Sequence, residues 1–277
     1  MNRAYHNKPM KVGFVILTFF VIIAIFAEIL MPYSLENLGI PYLTPSKEHF
    51  LGTNDIGQDI FSELILGTRV SLTIGIISAG IVIALGTFLG LISGYYGGKI
   101  DKFISALISV FMSIPQLPLT IVLVAFLNPS IWNIIFAICI TSWTSTAKII
   151  RAKVMEIKEL PFIKIEKAIG QNNRTILFKH ILVNLTDIIL MRGTLAVASA
   201  MLTEASLSFL GLGVYDQKSW GGILYYAFYR NGVLSGKIWW YLPPIICTSM
   251  CIFAFVLIGY YGIGSINKEN TDIYEVN

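Results

Sequence analysis

Four ionisable side chains fall in or beside one apolar run in the second half of the chain: His180, Asp187, Arg192 and Glu204. Charged groups inside a membrane span are costly, so each is a functional suspect by default. Together they make no reaction centre. An enzyme needs a nucleophile within reach of a base, or metal ligands at a fixed spacing, and neither pattern occurs. His6, His49 and His180 are scattered, which argues against a metal site. Cys139, Cys247 and Cys251 all lie in apolar runs, where packing is the expected role rather than a disulfide or a zinc site. The sequence has no GxxxxGK[ST] phosphate loop, so this chain does not bind ATP in that manner. No catalytic residue and no cofactor of its own are therefore expected. Arg192 lies about eight residues into its apolar run, roughly 12 Å deep at the helical rise. Snorkelling, a pair with Asp187 and a wet cavity are all open to it.

The longest strongly basic stretch is 151–184. It carries Arg151, Lys153, Lys158, Lys164, Lys167, Arg174 and Lys179 with apolar residues threaded between them. Pro161 suits the first turn of a helix, and Gly170 suits the left-handed position just past a helix end. Between them Phe162, Ile165 and Ile169 recur at i, i+3 and i+7 as one apolar stripe, with Lys164, Glu166 and Lys167 on much of the remaining surface. Asn172 or Asn173 can cap a second helix that runs back through Leu177 and Ile181. A helix of about nine residues is too short to hold itself in water. Two homes for the stripe remain open: the ends of the chain's own spans or the lipid interface, or a groove on another protein.

The elements that position these residues are membrane helices. Apolar residues make up 55% of the chain and charged residues 13%, with mean hydropathy +0.72. Soluble domains carry about 25% charged residues, so this is a polytopic membrane protein. The net charge of +4 fits loop charges that set topology rather than nucleic-acid binding. Six spans are expected, at 12–31, 70–96, 103–127, 131–150, 185–212 and 239–263. The first is too long for a signal-peptide core and is expected to stay uncleaved. Pro115 and Pro118 interrupt the third, as a structural kink or as part of a pathway-lining helix; with Arg192 and Glu204 they are the pathway or kink candidates. The second span is rich in small residues that permit close helix approach, though its Gly86/Gly90 pair is a weak signal on its own. Trp239, Trp240 and Tyr241 are expected to form an interfacial aromatic belt, and 213–238 a polar-aromatic loop.

Basic residues set the orientation. Arg3, Lys8, Lys11, Lys99, Lys102, the cluster at 148–179 and Lys268 share one side, against Lys47, Arg69, Lys218, Arg230 and Lys237 on the other. The positive-inside rule puts both termini and 151–184 in the cytoplasm.

Three ordered runs then carry a resemblance. Residues 50–59 read FLGTNDIGQD, residues 94–98 read GYYGG with Asp101 following, and residues 202–213 read LTEASLSFLGLG with Ser219-Trp220-Gly221 beyond. They resemble the LGTDxxGRD segment, the turn between spans two and three, and the fifth-span signature of ABC importer inner-membrane permeases. The likeness is to the oligopeptide/dipeptide/nickel class, in its C-type, second-permease branch, and it covers nearly the whole chain. In that family the cytoplasmic loop carries an EAAxxxG motif and a coupling helix that docks into a cleft on the ATPase. Aligned on Gly170, this chain keeps Ala168, Gly170, Ile181, Leu182 and Asn184. Lys164 stands at the motif's Glu, Ile165 and Glu166 at its two alanines, and Val183 at its proline. Gln58 stands for the Arg of GRD, and Ser109 for an Asp ahead of the SxP kink.

The resemblance implies an all-α type I ABC importer permease fold with six transmembrane helices and a cytoplasmic coupling helix. Phe162, Lys164, Ile165, Glu166, Ala168, Ile169 and Gly170 are its ATPase-coupling candidates. The implied organisation is an N-terminal segment 1–11, a first span 12–31, an extracytoplasmic loop 32–69, a permease domain 70–266 with coupling loop 151–184, and a tail 267–277. The implied partners are a second permease subunit, two cytoplasmic ATPases that bind ATP, an extracytoplasmic solute-binding protein and membrane lipid. Peptides are the expected cargo and nickel or a metal chelate the alternative. A secondary transporter would need charge relays and inverted repeats, which are not evident, and a membrane enzyme lacks its catalytic residues.

Overall fold

The computed structural model describes the backbone of residues 3–274 and the side chains of residues 8–262. Among the described residues there is no strand, only one isolated antiparallel bridge, Thr53 with Asp59. Among the described residues five helices are long and apolar enough to cross a membrane, or six if one sharply bent pair counts as a single span. The chain is a membrane-embedded helical bundle.

Span 1 is Arg3–Ile25, and it continues after an irregular Phe26 as the short helix Ala27–Leu30. Span 2 is Ile60–Tyr96, span 4 is Ile131–Ile157, span 5 is Thr186–Leu207 and span 6 is Ile238–Tyr274. Span 3 is the bent pair Gly98–Ser113 and Gln116–Ala125, whose axes differ by 84°. Its break follows from Pro115. A proline pushes the residue before it into the extended region, and Ile114 sits there at φ −99°, ψ 129°. The sequence suggests a kinked helix; the observed break is nearly a right angle. Pro118 bends nothing. It falls in the first turn of the second piece, where a missing N–H leaves no helical bond unmade.

Spans 2 and 4 form the most extensive helix pair. Gly86, Gly90 and Gly94 line one face of span 2, and span 4 lies directly over them. A Cβ at these positions would stand 2.7 Å from Thr146, from the Ala147 carbonyl and from Val154 respectively. The glycine pair is therefore an intrachain seam. Spans 5 and 6 close the bundle, with span 1 against span 6. One core gathers Phe20, Ile60, Leu72, Met201, Trp220, Trp240 and Phe255. A second, at the basic end, gathers Leu91, Ile150, Val154, Ile157, Ile163, Ile176, Leu177, Ile181 and Leu185.

Several boundaries differ from expectation. Span 2 begins ten residues before Val70, at Ile60. Ser62, Glu63, Thr68 and Arg69 hide this first stretch from a hydropathy reading, yet Asp59 caps it, accepting from the Ser62 N–H at 2.8 Å. Span 4 runs on to Ile157 because Val154 and Ile157 are buried at the basic end. The expected turn at 97–102 shrinks to Gly97, whose φ of 65° is the left-handed region that glycine adopts freely. The segment 213–238 contains a helix, Trp220–Tyr229, capped by Ser219. Trp240 is fully buried beside Gly232 and Tyr42, so it belongs to the core and not to an aromatic belt.

Candidate functional site

The helix Pro161–Ala168 stands off the basic end of the bundle, with Pro161 in its first turn and Gly170 beyond its end at φ 83°. One residue anchors it. Ile163 is 3% exposed and packs with Val154, Ile157, Ile176 and Leu177. The stripe points the other way: Phe162 is 41% exposed, Ile165 62% and Ile169 73%. Of the two homes left open for the stripe, the chain's own spans are not the one it takes. Lys164 pairs with Glu159 at 3.1 Å, and Glu166 turns towards His180 at 3.9 Å. Ala168 and Gly170 are exposed, and a Cβ on Gly170 would meet nothing within 4 Å.

The return path is not a plain α-helix. Asn172 caps a short turn by accepting from the Arg174 N–H at 3.0 Å. A π-helical stretch, Ile176–Ile181, follows and puts Ile176, Leu177 and Ile181 into the core. The whole cap is tied to the bundle by polar bonds. The Tyr95 hydroxyl donates to Asn173 at 2.7 Å, and Lys158 donates to the Gly94 carbonyl at 3.0 Å. Arg151 makes a two-pronged contact with Asp101, its Nη2 at 2.7 Å from Oδ2, and Ser93 donates to the same carboxylate. Such forked pairs fix orientation as well as distance.

The pathway or kink candidates lie apart. Pro115 sets the break in span 3, and Gln116 begins the second piece. Arg192 and Gln116 line one cleft of about 160 Å³ with Ser142, Ser145, Thr146 and Ser199. Arg192 donates through Nη2 to Ser145 at 2.9 Å. It is not paired with Asp187, which faces a different groove beside Met10 and Thr194. Five residues of helix turn the two side chains onto different faces. Glu204 is away from the cleft, 1% exposed. It accepts from Ser208 at 2.7 Å and Ser71 at 3.1 Å, and Ser71 in turn accepts from the Trp220 N–H. Glu204 thus joins spans 2 and 5 to the Trp220 helix and lines none of the clefts described.

Residues 86–261 match the family described as binding-protein-dependent transport system inner membrane components. Residues 1–49 match the N-terminal transmembrane domain of oligopeptide transport permease C. The chain belongs to this transport permease family. It is 38% identical over 256 residues to the dipeptide transport system permease protein DppC of Alkalihalophilus pseudofirmus, covering 91% of this chain and 83% of that protein. It is 37% identical over 224 residues to the oligopeptide transport system permease protein OppC of Bacillus subtilis, covering 80% and 73%. A chain from the solved structure of inward-facing conformations of the MetNI methionine ABC transporter shares the fold, with a TM-score of 0.61 at 16% identity over 74% of this chain and 96% of that one. The fold is that of a type I ABC importer permease, and the family is one of transport components rather than enzymes.

The permease's 50–59 motif is a clasp at the end of the bundle opposite the short helix. Asn54 is its hub: its amide donates to Gln58 at 3.1 Å and Glu63 at 3.0 Å, and its oxygen accepts from the Ile56 and Gln58 N–H groups. Gln58, in the place of the motif's Arg, donates to the Leu35 carbonyl at 2.6 Å. Asp59 caps span 2 and meets His49 at 2.9 Å. Two ion pairs then cross to the 213–238 segment, Lys218 to Glu63 at 2.8 Å and Arg230 to Asp55 at 3.1 Å. Lys237 sits over the Tyr42 ring as a third tie. A sequence reading does not single out Ile163, Glu63, Ser142 or Ser145, and it names Lys218 only as a loop charge. The 50–59 run marks one half of the clasp in the sequence, and the isolated basic residues of 213–238 hint at the other.

Proposed function

We propose that this chain is one permease subunit of an ATP-driven importer of peptides. Two such subunits form the translocation pathway, and two cytoplasmic ATPases clamp their short helices and rock the bundles between inward- and outward-open states. The observation that carries the coupling role is the outward stripe on an inwardly anchored helix. Ile163 fixes the helix to the bundle while Phe162, Ile165 and Ile169 stay uncovered. Three neighbouring large apolar side chains turned to solvent mark a docking surface. Lys164, Glu166, Ala168 and Gly170 border that surface, and the open space over Gly170 leaves room for a partner's close approach.

The helix lies in the basic stretch, so the positive-inside rule favours the cytoplasm for it and for both termini. The clasp end then faces outwards, where a solute-binding protein delivers cargo. Peptide cargo, in preference to nickel, is supported by relatives named as dipeptide and oligopeptide permeases. ATP belongs to the partner subunits.

The test is Ile165→Asp in the assembled importer, reconstituted with its ATPases and binding protein. Because Ile165 is exposed, its own fold should change by less than about 0.5 kcal/mol. Peptide-stimulated ATP hydrolysis and uptake should both fall about tenfold or more, the scale of losing one apolar anchor at a docking surface. Normal coupling in that variant would sink the docking role. Uptake that proceeds without ATP would sink the importer reading.

A further inference from the structure

The Arg192 cleft has features that packing does not explain. Ser142, Ser145 and Thr146 lie near the middle of span 4, about 20 Å from either end at the helical rise. Gln116 meets them from the break in span 3, its amide donating to Ser142 at 2.7 Å. Arg192 reaches in from span 5 and spends one N–H on Ser145. Its Nε is buried with no partner, and so is the Thr146 hydroxyl. No carboxylate is among the residues lining the cleft. Gln116, Ser145 and Ser199 are exposed, so the cleft opens on an outer face of the bundle. Exposed amide and hydroxyl groups beside a half-buried guanidinium at mid-depth do not face hydrocarbon, where each would go unsatisfied. This face meets water or protein.

A guanidinium keeps its charge and presents a rigid fork suited to a carboxylate. Here one arm is steadied by a hydroxyl while the buried Nε lacks an acceptor. A volume of about 160 Å³ accommodates a carboxylate and its waters but not a folded segment. We propose that Arg192, steadied by Ser145 and flanked by Gln116 and Ser142, is a carboxylate-binding subsite of the pathway that takes the C-terminal carboxylate of a peptide in transit. This rests on the reading that the cargo is a peptide. Peptides of every sequence share that group, so one fixed cation with neutral donors attracts them all without reading side chains. The same cation offsets the cost of carrying an anion through a low-dielectric passage. Gln116 begins the segment after the 84° break, so the subsite spans a joint between two pieces of the bundle.

The experiment uses the complete importer in proteoliposomes, with ATPases and binding protein, and one peptide in two forms, free acid and C-terminal amide, both held by the binding protein. Uptake of each is compared between wild type and Arg192→Gln, so the binding protein's own preference cancels in the ratio. Arg192→Gln should slow the free acid about tenfold to a hundredfold, the worth of a hydrogen bond to a charged group, and leave the amide within about twofold. Arg192→Lys should fall between. Ser145→Ala, which removes only the steadying hydroxyl, should slow the free acid a few-fold, and this comparison holds if Arg192→Gln fails to assemble. Equal slowing of both peptides would overturn the subsite and point to a carboxylate of the partner subunit as what Arg192 meets. No slowing of either would overturn it outright. A wild-type importer that moves neither peptide would instead overturn the peptide reading, and the subsite with it.

Discussion

The seam between spans 2 and 4 gives a quantitative test of how the bundle is held. Gly90→Ala adds one methyl whose carbon would stand 2.7 Å from the Ala147 carbonyl oxygen, 2.8 Å from Ile150 Cβ and 3.0 Å from the Arg151 nitrogen. Carbon contacts are comfortable at about 3.5–4.0 Å, so the helices must part by roughly 0.7–1 Å. The opening cannot stay local, because Gly86 and Gly94 hold the same two helices equally close a turn above and below. A gap of about 0.5–1 Å forfeits a quarter to a half of the dispersion attraction along the seam. Overpacking of this kind costs about 1–3 kcal/mol, offset by up to about 1 kcal/mol because alanine favours a helix more than glycine does. The expected net loss is about 1–2 kcal/mol, or a fall of about 2–8 °C in the unfolding midpoint. Gly80→Ala is the control. It lies on the same helix with nothing within 4 Å of its added carbon, so it should be neutral or slightly stabilising. Thermal unfolding of the two purified variants in detergent, followed by loss of the monodisperse species, decides the matter. Equal midpoints would refute the seam as a source of stability.

Further expectations concern the two ends of the bundle. Lys218→Met strands Glu63, which is 2% exposed, and should destabilise by about 3–5 kcal/mol; adding Glu63→Gln should recover part of the loss in the same melts. Arg230→Ala breaks the more exposed pair with Asp55 and should change stability by less than about 1 kcal/mol. Ile163→Asp buries a charge in the basic-end core and should abolish assembly, while Ile165→Asp should purify at wild-type yield; equal yields would place the stripe and the anchor wrongly. Asp101→Asn removes the charged partner of Arg151 and should speed amide exchange at the Gly97 turn ahead of any global unfolding.

The spans were legible because about 20 apolar residues in a row have few other homes. Pro161 and Gly170 bracketed the short helix for reasons of backbone geometry that need no neighbours. What stayed hidden depended on which way side chains turn. A stripe at i, i+3 and i+7 ordinarily faces a core; here Phe162, Ile165 and Ile169 face out and Ile163, outside the stripe, faces in. Residues 60–69 read as loop because their polar groups are satisfied by partners far along the chain, Lys218 for Glu63 above all. Pro115 announced a disturbance in span 3, but the 84° angle is set by what the two pieces pack against. The cleft of Arg192 needed three spans to be brought together before its serines meant anything. Trp239 and Trp240 look alike in sequence, yet Trp240 is sealed by Gly232 and Tyr42.

Span 2 is one unbroken helix of 37 residues, about 56 Å long at the helical rise. One end is gripped by Asp59 and Glu63 in the clasp, and the other is bolted beside Asp101, Arg151 and Lys158. Six glycines would ordinarily make such a helix limp, but span 4 splints it along the seam. The result is a rigid lever rather than a hinge. Each degree of tilt about one end sweeps the other by about 1 Å, so a push of a few ångströms at the short helix arrives at the opposite face of the membrane as displacement, with no intermediate joint to absorb it.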